Sequence, residues 1–273
     1  MLNFPYVFGG GGQSFSFSPS TGYVLYPETV TVPNTVRVTT PKEAGFYGHS
    51  EIKHIIYESG SPITSITVNA FRGCTGLLDI VLPQSITLID GSAFYDCSSL
   101  KHIDIPNTVT VLNADCFRST GLEEITLPDS VSLINGAPFT GCTALKTATL
   151  SANLGQIASS SFSGCTSLKK ITFKSTSPHS SYWTVTNSNN PVYRCTALEV
   201  VEVPAGWTES ITLSDGGSNF TNVLTHDGLV ALIDHLYDYT GDTAHTLKIG
   251  ATNLGRLSAA EQQVAADKNW TLS

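Results

Sequence analysis

Phenylalanine recurs at positions 71, 94, 117, 139 and 162 and leucine at 77, 100, 122, 145 and 168, so two apolar series advance together by 22 or 23 residues. A fixed period in the range of about 20 to 50 residues marks a solenoid, in which each repeat is one winding that hides its apolar side chains only against its neighbours. The unit is typified by ITLIDGSAFYDCSSLKHIDIP, from Ile86 to Pro106. Its last part alternates: Ile103 and Ile105 are apolar, His102 and Asp104 polar, and a proline ends the run. That alternation predicts a short strand with the isoleucines inward and His102 and Asp104 outward, closed by a residue that has no amide hydrogen to pair. Stacked in parallel at about 4.8 Å, eight such strands extend roughly 34 Å.

The other half of the unit offers two apolar anchors, such as Ile86 and Ile89 or Val131 and Ile134, then a polar turn, then the phenylalanine. It reads as an irregular return segment with room for one helical turn, the phenylalanine filling the middle of the winding. The phrases AFRGCTGLLDIVLP and AFYDCSSLKHIDIP resemble the BspA-like class of leucine-rich repeats, and the likeness runs from about residue 46 to residue 204. The resemblance implies a repeat solenoid: a right-handed superhelix with a stacked parallel β-sheet and short irregular or helical return segments.

Several units depart from the pattern. The third, CFRSTGLEEITLP, is one residue short and places Cys116 before the phenylalanine, and the fourth ends TLSAN without its proline. Upstream, FYGHSEIKHIIY keeps Phe46 and Ile52 in phase, and ETVTVPNTVRV offers another strand or a cap. Downstream, PVYRCTALEVVEVP restores the phase, but Cys195 follows Cys165 by 30 residues because of an insertion. Beyond it, THDGLVALIDHLYDYT carries a helical stripe with Thr225 as N-cap, HTLKIG reads as a strand, and Ser258 with Glu261 forms a capping box. LKIGATNLGRL is similar to a helix-bearing leucine-rich repeat, and the ending NLGRLSAAEQQVAADKNWTLS resembles, more loosely, tails on repeat proteins of gut bacteria and their prophages. The expected organisation is a flexible leader with N-terminal cap strands over 1–45, repeats over 46–207 with an insertion at 175–191, and a C-terminal α/β cap over 208–273.

A net charge of -8 with 14 Lys and Arg argues against nucleic acid as a partner, because phosphate contacts need clustered cations. No membrane span is expected either, since even LVALIDHL is broken by Asp234 and His235. The start, MLNFPYVFGGGGQSFSF, has no basic n-region and its apolar run is cut by glycines, so it does not resemble a secretory signal. Its FGGGG lacks the lysine of a phosphate loop and reads as a flexible leader.

Five of the six cysteines, at 74, 97, 142, 165 and 195, share one repeat slot. They read as a ladder of buried thiols packed as small apolar groups, with no C-x-x-C spacing for a metal. G-x-S-x-G, H-E-x-x-H, an EF-hand loop and G-K-[ST] are absent, and no catalytic residue, cofactor or metal site is assigned. A lone His102–Asp104 pair lacks a positioned nucleophile.

Two features can carry binding. The first is the outward strand face, where charges of both signs, including His102, Asp104, Glu124, Lys146 and Lys170, are interleaved with threonines. Such a face is equally a solvated, self-neutralising surface or a ligand surface. The second is the insertion STSPHSSYWTVTNSNNP, whose Tyr182 and Trp183 serve either as an adaptable contact or as cover for the core. Proteins of the BspA-like class are often surface adhesins. The resemblance therefore implies a non-enzymatic module at the cell surface that binds a protein or glycan; the alternative is a structural spacer in a surface or prophage-derived assembly.

Overall fold

A computed structural model describes residues 16–17, 24–25, 27–32, 46–176, 189–213 and 224–273. The repeats form a parallel β-solenoid of about eight windings with little helix. The outward-facing strands fall into two sheets. One joins β3 (Thr29–Val32), β4 (His54–Tyr57) and β6 (Asp79–Val81), and the other joins β9 (Glu124–Thr126), β11 (Thr147–Thr149), β12 (Lys170–Thr172) and β13 (Val200–Glu202). All their pairings are parallel and in phase with the repeat, as in Thr147 opposite both Glu124 and Lys170. The TVTV segment that reads as a strand or cap is thus a full member of the stack. Upstream of it, β1 (Ser16–Phe17) and β2 (Val24–Leu25) pair antiparallel.

The return segments are more regular than their sequence suggests. They contain a second parallel sheet, made from β5 (Ser65–Ile66), β7 (Leu88–Ile89), β8 (Val111–Leu112) and β10 (Leu133–Ile134), and no helix among the described residues of the repeats. The paired anchors explain this: Ile86 and Ile89 are both buried, and Leu88–Ile89 lies in register with Val111–Leu112 of the next winding. The turns are tied as well, since Phe94 N–H donates to Cys116 O at 2.7 Å and Phe71 N–H to Ala93 O at 2.7 Å.

The core is a set of columns. Phe46, Phe71, Phe94, Phe117, Phe139 and Phe162 stack with centroids 5.1 to 5.6 Å apart and planes within 12°. Leu77, Leu100, Leu122, Leu145 and Leu168 are wholly buried, and all but Leu100 lie two residues before the first residue of a strand. The cysteines are free and buried, and their thiols do more than fill space. Cys74, Cys97, Cys142, Cys165 and Cys195 each donate Sγ–H to the carbonyl of the phenylalanine one winding back, at 2.8 to 3.1 Å. In the short third unit Thr120 fills this slot, and its hydroxyl donates to Phe117 O at 2.9 Å, within its own winding.

The C-terminal part has the expected elements. In α1 (His226–Asp234) the Thr225 side chain caps Gly228 N–H, and Leu229, Leu232 and Ile233 are buried. The helix packs beside β13, and Thr225 N–H donates to Glu199 O at 2.8 Å, so α1 covers the last winding. A third parallel sheet joins β14 (Ile211–Thr212), β15 (His245–Lys248) and β16 (Trp270–Leu272). The short α2 (Ala251–Leu254) follows β15, and α3 (Ala259–Asp267) begins with the predicted Ser258–Glu261 capping box. No helix among the described residues is long and apolar enough to cross a membrane.

Candidate functional site

Between β6 and β9 the stack contains one winding, residues 101–106, that is not a strand. This corrects the expectation drawn from LKHIDIP. The alternation is kept at its start, where Ile103 is buried and His102 and Asp104 are exposed, while Ile105, expected inward, is half-buried and packs on the edge of the core. Its ladder is missing. Lys101 O still accepts from Glu123 N–H at 3.0 Å, but among the described residues no hydrogen bond reaches the backbone of residues 102–105. The interruption borders the one shortened turn, in which Phe117 and Leu122 are five residues apart instead of six. The phase of the stack is nevertheless kept, since Glu123 N–H to Lys101 O is the equivalent of Lys146 N–H to Glu123 O at 2.8 Å and Lys169 N–H to Lys146 O at 2.8 Å.

Where the ladder fails, the face holds a recess of about 310 Å³ lined by His102, Ile103, Asp104, Ile105, Glu124, Thr126 and Pro128. Sequence reasoning places four of its members, His102, Asp104, Glu124 and Thr126, on the outward face, and the structure brings them together. The imidazole of His102 donates to Asp104 across 3.0 Å and its other nitrogen lies 3.7 Å from Glu124. Ile103, Ile105 and Pro128 were not legible as site residues, because a recess needs a missing ladder that the alternation does not announce.

Lys146 and Lys170 stand outside the recess in ion pairs that run along the stack. Lys146 Nζ lies 2.6 Å from Glu123, which also receives Lys101 at 3.3 Å, and Lys170 lies 2.9 Å from Glu202. Lys146, then Lys101, holds the Glu123 carboxyl below the usual glutamate range, and Lys170, with the Thr172 hydroxyl, does the same for Glu202. Further pairs join Lys53 to Glu28, Lys169 to Glu199 and His54 to Asp79. The recess differs in its ratio of charges: among the described residues Asp104 and Glu124 share one imidazole and no lysine or arginine, whereas Asp79 has His54 to itself. The winding on its N-terminal side exposes Leu78 and Val81, with Ile56 one winding further.

Tyr182 and Trp183 lie outside the described residues. Among the described residues no group of three or more His, Cys, Asp or Glu could hold a metal ion.

Comparison with known proteins places this geometry. The family model described as "BspA type Leucine rich repeat region (6 copies)" matches residues 26–120 and 92–212. The chain belongs to the BspA-type leucine-rich repeat family. No curated protein matches it. Among solved structures, a leucine-rich repeat protein from Bacteroides ovatus is 21% identical with a TM-score of 0.54, over 89% of this chain and 65% of its own. The leucine-rich repeat protein of T. pallidum is 26% identical with a TM-score of 0.48, over 59% of this chain and 82% of its own. The chain thus spans just under two thirds of the B. ovatus protein.

Proposed function

We propose that this BspA-type repeat chain is a non-enzymatic protein-binding module displayed at the cell surface, and that it engages its partner through the outward strand face with the recess at its centre. The observation that carries the reading is the interruption itself. Three windings share one ladder on this face and four share another, and the winding between them joins neither, so the face has a concave point with backbone groups open to a partner. Membership of a repeat family whose solenoids bind through extended faces supports the same reading. Between the two expected ligand classes, protein is favoured. None of the described outward strand positions carries Phe, Tyr or Trp as a stacking platform for a sugar ring, while Leu78 and Val81 offer aliphatic contact.

The test is a binding screen of the purified chain against arrays of extracellular-matrix proteins, bacterial surface proteins and glycans. A protein ligand is expected, with binding reduced at least about tenfold by Val81→Glu combined with Lys146→Glu, as for loss of an anchoring contact. A ligand that binds this variant unchanged overturns the use of the face. Binding to none of the arrays supports the spacer role in place of this one.

A further inference from the structure

Resting on the strand-face reading, we infer that the recess between residues 102–105 and β9 receives a cationic side chain, lysine or arginine, from an extended segment of the bound protein. Three independent features of the face converge there. The first is charge. Along the rest of the stack glutamates are matched to lysines, as in Glu123 with Lys101 and Lys146, Glu199 with Lys169 and Glu202 with Lys170. At the recess two carboxylates, Asp104 and Glu124, share His102 as their one ion-pair partner among the described residues. They are 95% and 67% exposed, so both remain open to an incoming cation.

The second feature is hydrogen bonding. An arginine or lysine head group has donors and no acceptor, and the recess supplies acceptors: two carboxylates, the Thr126 hydroxyl and the uncommitted carbonyls of residues 102–105. A carbonyl that has lost its ladder partner gains most from a charged donor. The third is size and shape. A volume of about 310 Å³ lies at the lower limit of ligand pockets, suited to one long side chain and too small for a folded element. Leu78 and Val81, one winding away, give the neighbouring residues of the segment an aliphatic shelf. A cation's methylene stem packs on such surface while its head stays polar.

The experiment uses the full chain, labelled with ¹⁵N, and two pentapeptides, acetyl-Gly-Thr-Arg-Thr-Gly-amide and its citrulline counterpart, which is isosteric and uncharged. Titration to millimolar concentration is expected to shift the amides of residues 102–105 and 124–126 with the arginine peptide. The citrulline peptide should bind at least about threefold more weakly, the size of one partly exposed ion pair. Asp104→Asn combined with Glu124→Gln should bring the arginine peptide down to the citrulline level, and raising salt from 0.05 to 0.5 M should weaken it. Both substitutions lie on exposed positions, and an unchanged melting temperature verifies the fold. Equal binding of the two peptides, shifts confined to another face, or no shifts at all overturns the proposal. Any protein ligand found on the arrays separates this idea from the broader one. If Asp104→Asn/Glu124→Gln binds it unchanged while Val81→Glu/Lys146→Glu does not, the cationic anchor fails and the strand-face reading stands; if both bind it unchanged, the strand-face reading fails.

Discussion

Single residues in this solenoid are specified by what the adjacent winding presents to them. Gly76 shows the steric side: a Cβ there would lie 2.0 Å from Ser50 O, a backbone atom that cannot move aside without displacing the winding before it. Gly76→Ala is therefore expected to destabilise the fold by about 1–3 kcal/mol, measured by urea unfolding. The cysteine slot shows the polar side. A thiol is small enough for the core and still gives a second hydrogen bond to a phenylalanine carbonyl that already accepts a backbone N–H, as Phe71 O does from Cys74 N–H at 3.0 Å and from the Cys97 thiol at 3.1 Å. Burial pushes the Cys74 thiol up to about 12 and those of Cys97, Cys116 and Cys165 well above their ordinary value. All six thiols are buried out of reach of a reagent, so the native protein should leave them unmodified by a disulfide reagent and release them only in denaturant. Rapid labelling of Cys97 in the native state would contradict a sealed ladder.

At the level of the strand, the interrupted winding should differ from its neighbours in dynamics as well as geometry. Amides held in ladders open only with their sheet, whereas those of Ile103, Asp104 and Ile105 have no such bond. Hydrogen exchange is expected to be at least about a hundredfold faster at these three than at Ile125 and Ile171, which lie within β9 and β12. Equal protection would mean that the stack is continuous in solution. The lysine–glutamate pairs make a second, electrostatic contribution between windings. Glu28, Glu123 and Glu202 all have folded-state values depressed below the ordinary 4.5, chiefly by hydrogen bonds from Lys53, Lys146 and Lys170. A depressed acid stabilises the fold fully above its unfolded value, and that contribution is lost as pH falls through the folded value. The contribution of these pairs to the melting temperature should therefore be full and independent of pH above about pH 5.5 and be lost progressively below pH 4.5; replacing Lys146 with Met should flatten the fall.

The whole molecule is close to one-dimensional: each winding is stabilised by the two beside it and covered at the end by α1. Phe94 sits at the centre of this arrangement, wholly buried and stacked against Phe71 at 5.1 Å and Phe117 at 5.4 Å. Phe94→Ala should cost about 3–5 kcal/mol, because the column cannot close over the void without breaking the turns above and below. A central substitution of this kind is expected to split the unfolding transition in two, the windings on either side no longer sharing one interior. A single, merely shifted transition in calorimetry would show instead that coupling along the stack survives the gap.

The period, the inward and outward sense of each strand residue, the buried cysteine slot and the two helix caps were all determined by the sequence alone. They depend on local spacing and on side-chain chemistry that repeats from unit to unit. Spacing also showed that the third unit is a residue short, with Cys116 displaced, but not what that shortening does. The second sheet in the return segments, the hydrogen-bonding role of the thiols, the substitution of Thr120 for a cysteine and the recess at His102, Asp104 and Glu124 were decided by tertiary structure. Each depends on which groups of one winding meet those of the next. Those meetings run largely through backbone groups common to every residue, so the one-letter pattern of a single winding carries no record of where the ladder is broken.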